Sequence, residues 1–260
     1  MEQNNYSKGQ DPLYEQVMRS SGSTGQQGTV GGRRTFGARG AMGKMADAAM
    51  SEVGLISRRA YNAIIGLIVL WGVGIDTAIC YFYGDQLTQT FQNRWAWVLL
   101  YLALVIGGMI IVNVAKNAVL CFLGYNLMVV GFGVTLAMVV GMYMPAVVFE
   151  TFLVTAIVTG LMLLLGTLWQ DFFKRIGVVL VVGLIAVIII EVVMLLFTGT
   201  YPTWVSVVSA ILFSGFIGYD WAKAQEAPPT AKNAVMFATS LFVDIINLFL
   251  DILRIVGRSD

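Results

Sequence analysis

The chain has 260 residues, 58% of them hydrophobic and only 12% charged, with a formal net charge of +1 and a mean hydropathy of +0.78. So few polar side chains cannot cover a soluble globule of this length, and the composition belongs to the membrane class. The absence of histidine excludes His-ligated metal centres, His general bases and Ser-His-Asp triads.

Residues 1–49 read as a disordered tail rich in Gly, Gln and Ser, because stretches such as SSGSTGQQGTVGG hold nothing to bury. Among its cations, Arg33, Arg34, Arg39 and Lys44 are diluted among Gly, Ala and Met, so no nucleic-acid partner is expected. The first 50 residues lack an apolar core of signal-peptide type. No cleavable signal is therefore expected, and the first spanning helix serves for insertion. Residues 46–57 predict a short surface helix, and residues 50–260 a single transmembrane domain.

Seven apolar segments follow, each long enough to cross a hydrocarbon core as a helix. They cover residues 60–82 with Asp76, 95–114, 118–143 with Asn126, 151–169, 176–197 with Glu191, a sixth from Thr203 and a seventh to Val256. Their β-branched residues do not argue for strands, since long unbroken apolar runs are the helix signature in lipid. The expected fold is an all-α, polytopic seven-helix bundle. The linkers GDQLTQTFQNR, VAKN, 144–150, QDFFKR and TGTYPT are short, which forces neighbouring helices antiparallel. The sixth helix is expected to run on through KAQEA to the break at Pro228 and Pro229.

An N-terminus in the cytoplasm puts Arg58, Arg59, Lys116, Lys174, Arg175, Lys223 and Lys232 inside and leaves Arg94 among the outside loops. The lipid bilayer of the plasma (inner) membrane is then the first partner. Arg254 and Arg258 violate this charge rule unless the seventh segment re-enters instead of spanning. Trp95, Trp97, Tyr201 and Trp204 near one set of ends, and Trp169 and Trp221 near the other, form a partial aromatic belt. Gly107, Gly108, Gly131 and Gly133 suit close helix packing. Cys80 and Cys121 lie in apolar runs and read as small hydrophobes.

The candidate functional residues cluster in the last two segments. Asp220 lies on the sixth; Asp244, Asn247, Asp251 and Arg254 step along the seventh by three, four and three, so they share one stripe. Carboxylates at membrane depth face a bundle interior or a water-filled path. Asp220 and Asp244, brought together across an antiparallel hairpin, are expected to share a proton and titrate as a pair. That pair would make a pH-dependent latch; alternatively it is a structural polar contact. Two carboxylates fall short of the six to eight oxygens Ca²⁺ prefers, so any calcium there binds weakly or transiently. Asp251 and Arg254 read as a local ion pair or as path lining, and Glu191, the sole charge in its segment, and Asp76 as further path candidates. Glu150 is expected at the start of the fourth helix, where a carboxylate suits the helix dipole. Arg58 and Arg59 anchor the first helix, or one of them compensates a buried acid.

Enzyme motifs HExxH, GxSxG and the P-loop are missing. An intramembrane aspartyl protease would match GYD at 218–220 but needs a glycine-bearing motif where FVD stands at 242–244. No enzyme activity and no bound cofactor are expected.

SAILFSGFIGYDWAKA followed by LFVDIINLFLDILRIVG, with DFFKRIGVVLVVGLIAVII and RRAYNAIIGLIVLWGVG, resembles the Bax inhibitor-1 family over residues 57–257. The resemblance implies six helices around a central seventh and a pH-sensitive calcium leak, with calcium and protons as partners. It maps the family's di-aspartyl pair onto Asp220 and Asp244. Trp221 stands where the family has threonine, and the second segment lacks the acid and arginine that assist gating in many members. The competing expectations are a non-transporting protein that binds or stabilises other membrane proteins, and a proton-coupled solute transporter.

Overall fold

The computed structural model of the chain describes residues 54–90, 94–198 and 202–257. The tail at 1–49, most of the expected surface helix, and Tyr201 and Arg258 lie outside the described residues. Among the described residues, seven helices make up the unit that begins at Ser57. They are α1 Arg58–Thr90, α2 Arg94–Val114, α3 Ala118–Val140, α4 Pro145–Leu168, α5 Gln170–Thr198, α6 Thr203–Glu226 and α7 Ala231–Val256. Six of them are long and apolar enough to cross a membrane, and α2 adds the shorter apolar stretch Val98–Val114.

Helix ends follow local chemistry. Asn117 caps α3 by accepting from the Leu120 amide at 2.8 Å, and Thr230 caps α7 by accepting from Asn233 at 3.1 Å. Pro145 sits in the first turn of α4, where its missing N–H costs nothing. That start moves Glu150 into the second turn, so it is no N-terminal residue as expected. The expected linker QDFFKR is entirely helix: Trp169 alone separates α4 from α5, and Asp171 in the first turn of α5 pairs with Lys174 at 2.8 Å. α1 likewise absorbs most of its expected linker and reaches Thr90. α6 runs to Glu226, ahead of Pro228 and Pro229, which is the longer course the sequence favours.

α7 is the most buried helix. It packs against α1 and α3 on one flank and α4 and α6 on the other, while α2 lies against α3, and α5 against α6 with a slight contact to α4. The bundle is thus two three-helix groups, α1–α3 and α4–α6, joined on α7. On the α1–α3 flank the join is aromatic: Phe242 of α7 meets the Tyr125 ring at 5.4 Å and the Phe132 ring at 6.0 Å, both edge-on. The Tyr125 hydroxyl donates to the Ile68 carbonyl of α1 at 2.7 Å. Within each group backbones touch through glycine. A β-carbon on Gly166 would lie 2.7 Å from the Gly218 carbonyl oxygen, and one on Gly108 would lie 2.6 Å from that of Gly124. Gly107, by contrast, is nearly free of neighbours. Leu99, Ile110, Val178 and Val179 turn outward, as hydrocarbon-facing side chains must.

Candidate functional site

The α6–α7 hairpin sets the geometry. Thr230 ends the turn, so α7 returns along α6 and brings Ser240 and Asp244, one turn apart, beside Asp220. Asp220 accepts a hydrogen bond from the Ser240 hydroxyl, and Lys223 lies near it on its own helix. Asp244 is buried, 7% exposed, and close enough to feel the Asp220 charge. Its Oδ2 has no hydrogen-bond partner. Ser240 escapes sequence reading because a serine in an apolar helix ordinarily bonds back to its own backbone; only the hairpin register reveals it.

The end of α6 next to Asp220 is tied from both sides. Arg58 Nη1 of α1 donates to the Ala224 and Ala227 carbonyls, each at 3.2 Å. Those are orphan acceptors of a helix C-terminus, where a cation also suits the dipole. Arg58 therefore binds backbone carbonyls and stacks at 5.2 Å over Tyr61. Asn62 and Gln225 exchange two hydrogen bonds, at 3.3 and 3.1 Å. From α5, Lys174 bonds Glu226.

A second group of charges lies two turns further along α7. Arg254 Nη1 meets Asp251 Oδ1 at 3.1 Å, Ser209 of α6 donates to Asp251, and Glu191 of α5 is near enough to act on it. Asp251 is 2% exposed and its Oδ2 has no hydrogen-bond partner. Glu191, expected to face inward, is half-buried. Asn247 stands between the two groups, half-buried, its amide donating to the Val243 carbonyl at 2.8 Å.

Asp76 belongs to neither group. In the expected span 60–82 it falls nearer the later end, but α1 is longer at both ends and Asp76 lies near its middle. It is 3% exposed, both carboxyl oxygens have no hydrogen-bond partner, and Gly133 of α3 lies against it. Among the described residues no group of three or more Asp, Glu, Cys or His side chains converges to hold a metal. The acid pair offers an ion two carboxylates.

A family profile described as the inhibitor of apoptosis-promoting Bax1 matches residues 54–260. An uncharacterized membrane protein of Streptococcus pyogenes serotype M1 is 28% identical over 229 residues, covering 81% of this chain and 96% of that protein. The inner membrane protein YbhL of Escherichia coli K12 is 29% identical over 136 residues, 48% of this chain and 58% of its own length. An uncharacterized protein of Helicobacter pylori J99 is 30% identical over 131 residues, 48% of this chain and 56% of its own. With a match that takes in all seven helices and both groups of charges, the chain is a polytopic membrane protein of the Bax inhibitor-1 family.

Proposed function

We propose that this protein is a pH-sensitive calcium leak, non-enzymatic, in which Asp220 and Asp244 form the latch. The observation that carries the reading is an acid pair shared by α6 and the central helix α7, with Asp244 buried. Two carboxylates this close cannot both ionise cheaply, so at low pH they share a proton and hold the helices together. As pH rises the second proton leaves, the two charges repel, and the population shifts towards a looser α6–α7 packing that passes cations. Flux therefore rises with pH. Calcium is cargo here, held weakly by two carboxylates with backbone and water oxygens.

The orientation proposed is N-terminus in the cytoplasm of an inner-membrane protein. Arg58, Arg59, Lys116, Lys174, Arg175, Lys223 and Lys232 all lie at helix ends that alternate onto one face, and the ties of Arg58 and Lys174 to the end of α6 gather that face together.

The test is Ca²⁺ entry into dye-loaded liposomes between pH 5 and pH 8. Wild-type flux should climb across the series, and Asp220→Asn and Asp244→Asn should each flatten the climb. A protein that passes no more calcium than empty vesicles would instead be a membrane scaffold. A climb that both variants preserve would leave a leak without this latch.

A further inference from the structure

The buried positions of α4 step by four through Val147, Thr151 and Thr155, and Thr159 continues the stripe by one turn. Apart from a slight contact with α5, α4 packs on α6 and α7, so this stripe faces their seam. Thr151 is fully buried, and its hydroxyl, like that of Thr159, has no hydrogen-bond partner. Thr155 turns its own hydroxyl to the Thr151 carbonyl at 2.8 Å. Across the seam Ser206 is fully buried with its hydroxyl unpartnered, and Ser209 holds Asp251.

The register brings these groups to matching levels. Gly166 abuts Gly218, and Trp221 donates to the Thr167 hydroxyl at 2.8 Å, so α4 and α6 run parallel. Thr155 then lies within a turn of Ser209 and Asp251, and Thr151 within a turn of Ser206. Along α7, Asp244 and Asp251 are seven residues apart, about 10 Å at the helical rise, and each presents one unpartnered oxygen. Burying hydroxyl and carboxyl groups without partners costs free energy that a Val or Ala seam would avoid. On the opposite flank of α7, where Phe242 meets Tyr125 and Phe132, the same helix is packed with aromatic rings.

We propose that the α4–α6–α7 seam is a hydrated route by which small hard cations reach and leave the acid pair, with Asp251 as a second carboxylate station and the Thr151–Thr155–Thr159 stripe as its wall. The cargo rests on the calcium-leak reading; the water does not. Hydroxyl and carboxylate oxygens are the ligands that replace water around such ions, and irregular polarity at membrane depth is tolerated where it lines a wet cavity.

The experiment separates the two. In a Cys80→Ala, Cys121→Ala background, Thr151→Cys, Thr155→Cys and Ser206→Cys are made singly, with Val129→Cys, fully buried in the apolar cluster of the other flank, as the control. Reconstituted protein in nitrate buffer is exposed to Ag⁺, and the thiols remaining are counted with a fluorescent maleimide after unfolding. The seam positions should react at least tenfold faster than position 129; equal rates would overturn the proposal. Where wild type leaks calcium, Thr155→Val combined with Thr151→Val should lower the flux about tenfold, and Thr155→Ser should retain it. Undiminished flux in the double variant would overturn the route while the acid-pair latch stands. Where wild type passes no calcium the leak reading fails, and the silver rates alone decide the hydrated seam.

Discussion

Asp251 sits where three helices meet: Arg254 of its own helix, Ser209 of α6 and Glu191 of α5 all act on it. The three-residue spacing to Arg254 announces an ion pair, and the pair exists. Ser209 and Glu191 come from other helices, and no spacing within α7 predicts them. Removing the cation leaves a buried carboxylate with less compensation, so Arg254→Met should lower stability in a detergent unfolding assay. About 2 kcal/mol is expected, less than for a fully buried pair because the guanidinium is a third open to its surroundings. Asp76 reverses the argument. Its oxygens make no hydrogen bond, so Asp76→Leu replaces an uncompensated polar group by an apolar one of similar size. It should raise stability by about 1–2 kcal/mol in the same assay. A lower melting point would mean that the carboxyl is held by something that leucine cannot replace. Asp220 and Asp244 were visible as acids in oily helices, but that Ser240 also serves Asp220 depends on hairpin register, which the linker length alone does not fix.

At the level of helices, the apolar runs located all seven, and the errors fall at their ends. Polar residues extend a helix into the interface at no cost in hydrocarbon, which is why QDFFKR and much of GDQLTQTFQNR fold as helix and not as linker. Glycine content was equally visible, yet composition could not separate Gly107, which touches almost nothing, from Gly108, which lies on the backbone of α3. The α4–α6 contact gives a test. Gly166→Ala places a β-carbon against the Gly218 backbone, which cannot rotate away, and should destabilise by about 1–3 kcal/mol. Gly66→Ala meets no atom within 4 Å and should leave stability unchanged or slightly raised. Equal melting points for the two variants would deny that the α4–α6 approach is tight.

For the whole molecule, the main consequence is that two helix triplets meet on one central helix. On the proposed latch, opening by α6–α7 repulsion would move the α4–α6 triplet against α1–α3, with the ties from Arg58 and Asn62 to the end of α6 as the restraint. Spin labels at Ile106 of α2 and Val182 of α5, both outward-facing, should move apart by several ångströms between pH 5 and pH 8, on the scale of helix shifts in gating. Asp244→Asn should hold the distance constant. No change in wild type would confine any opening to side chains. α1 carries one more implication. A rod of 33 residues is about 50 Å long, whereas the oily slab is about 30 Å thick. Inclined at the angles usual for such helices it outruns the hydrocarbon, so its far turns reach the headgroup layer. An epitope spliced beyond Thr90 would therefore lie outside the hydrocarbon, and antibody binding to sealed vesicles would report on which side α1 emerges.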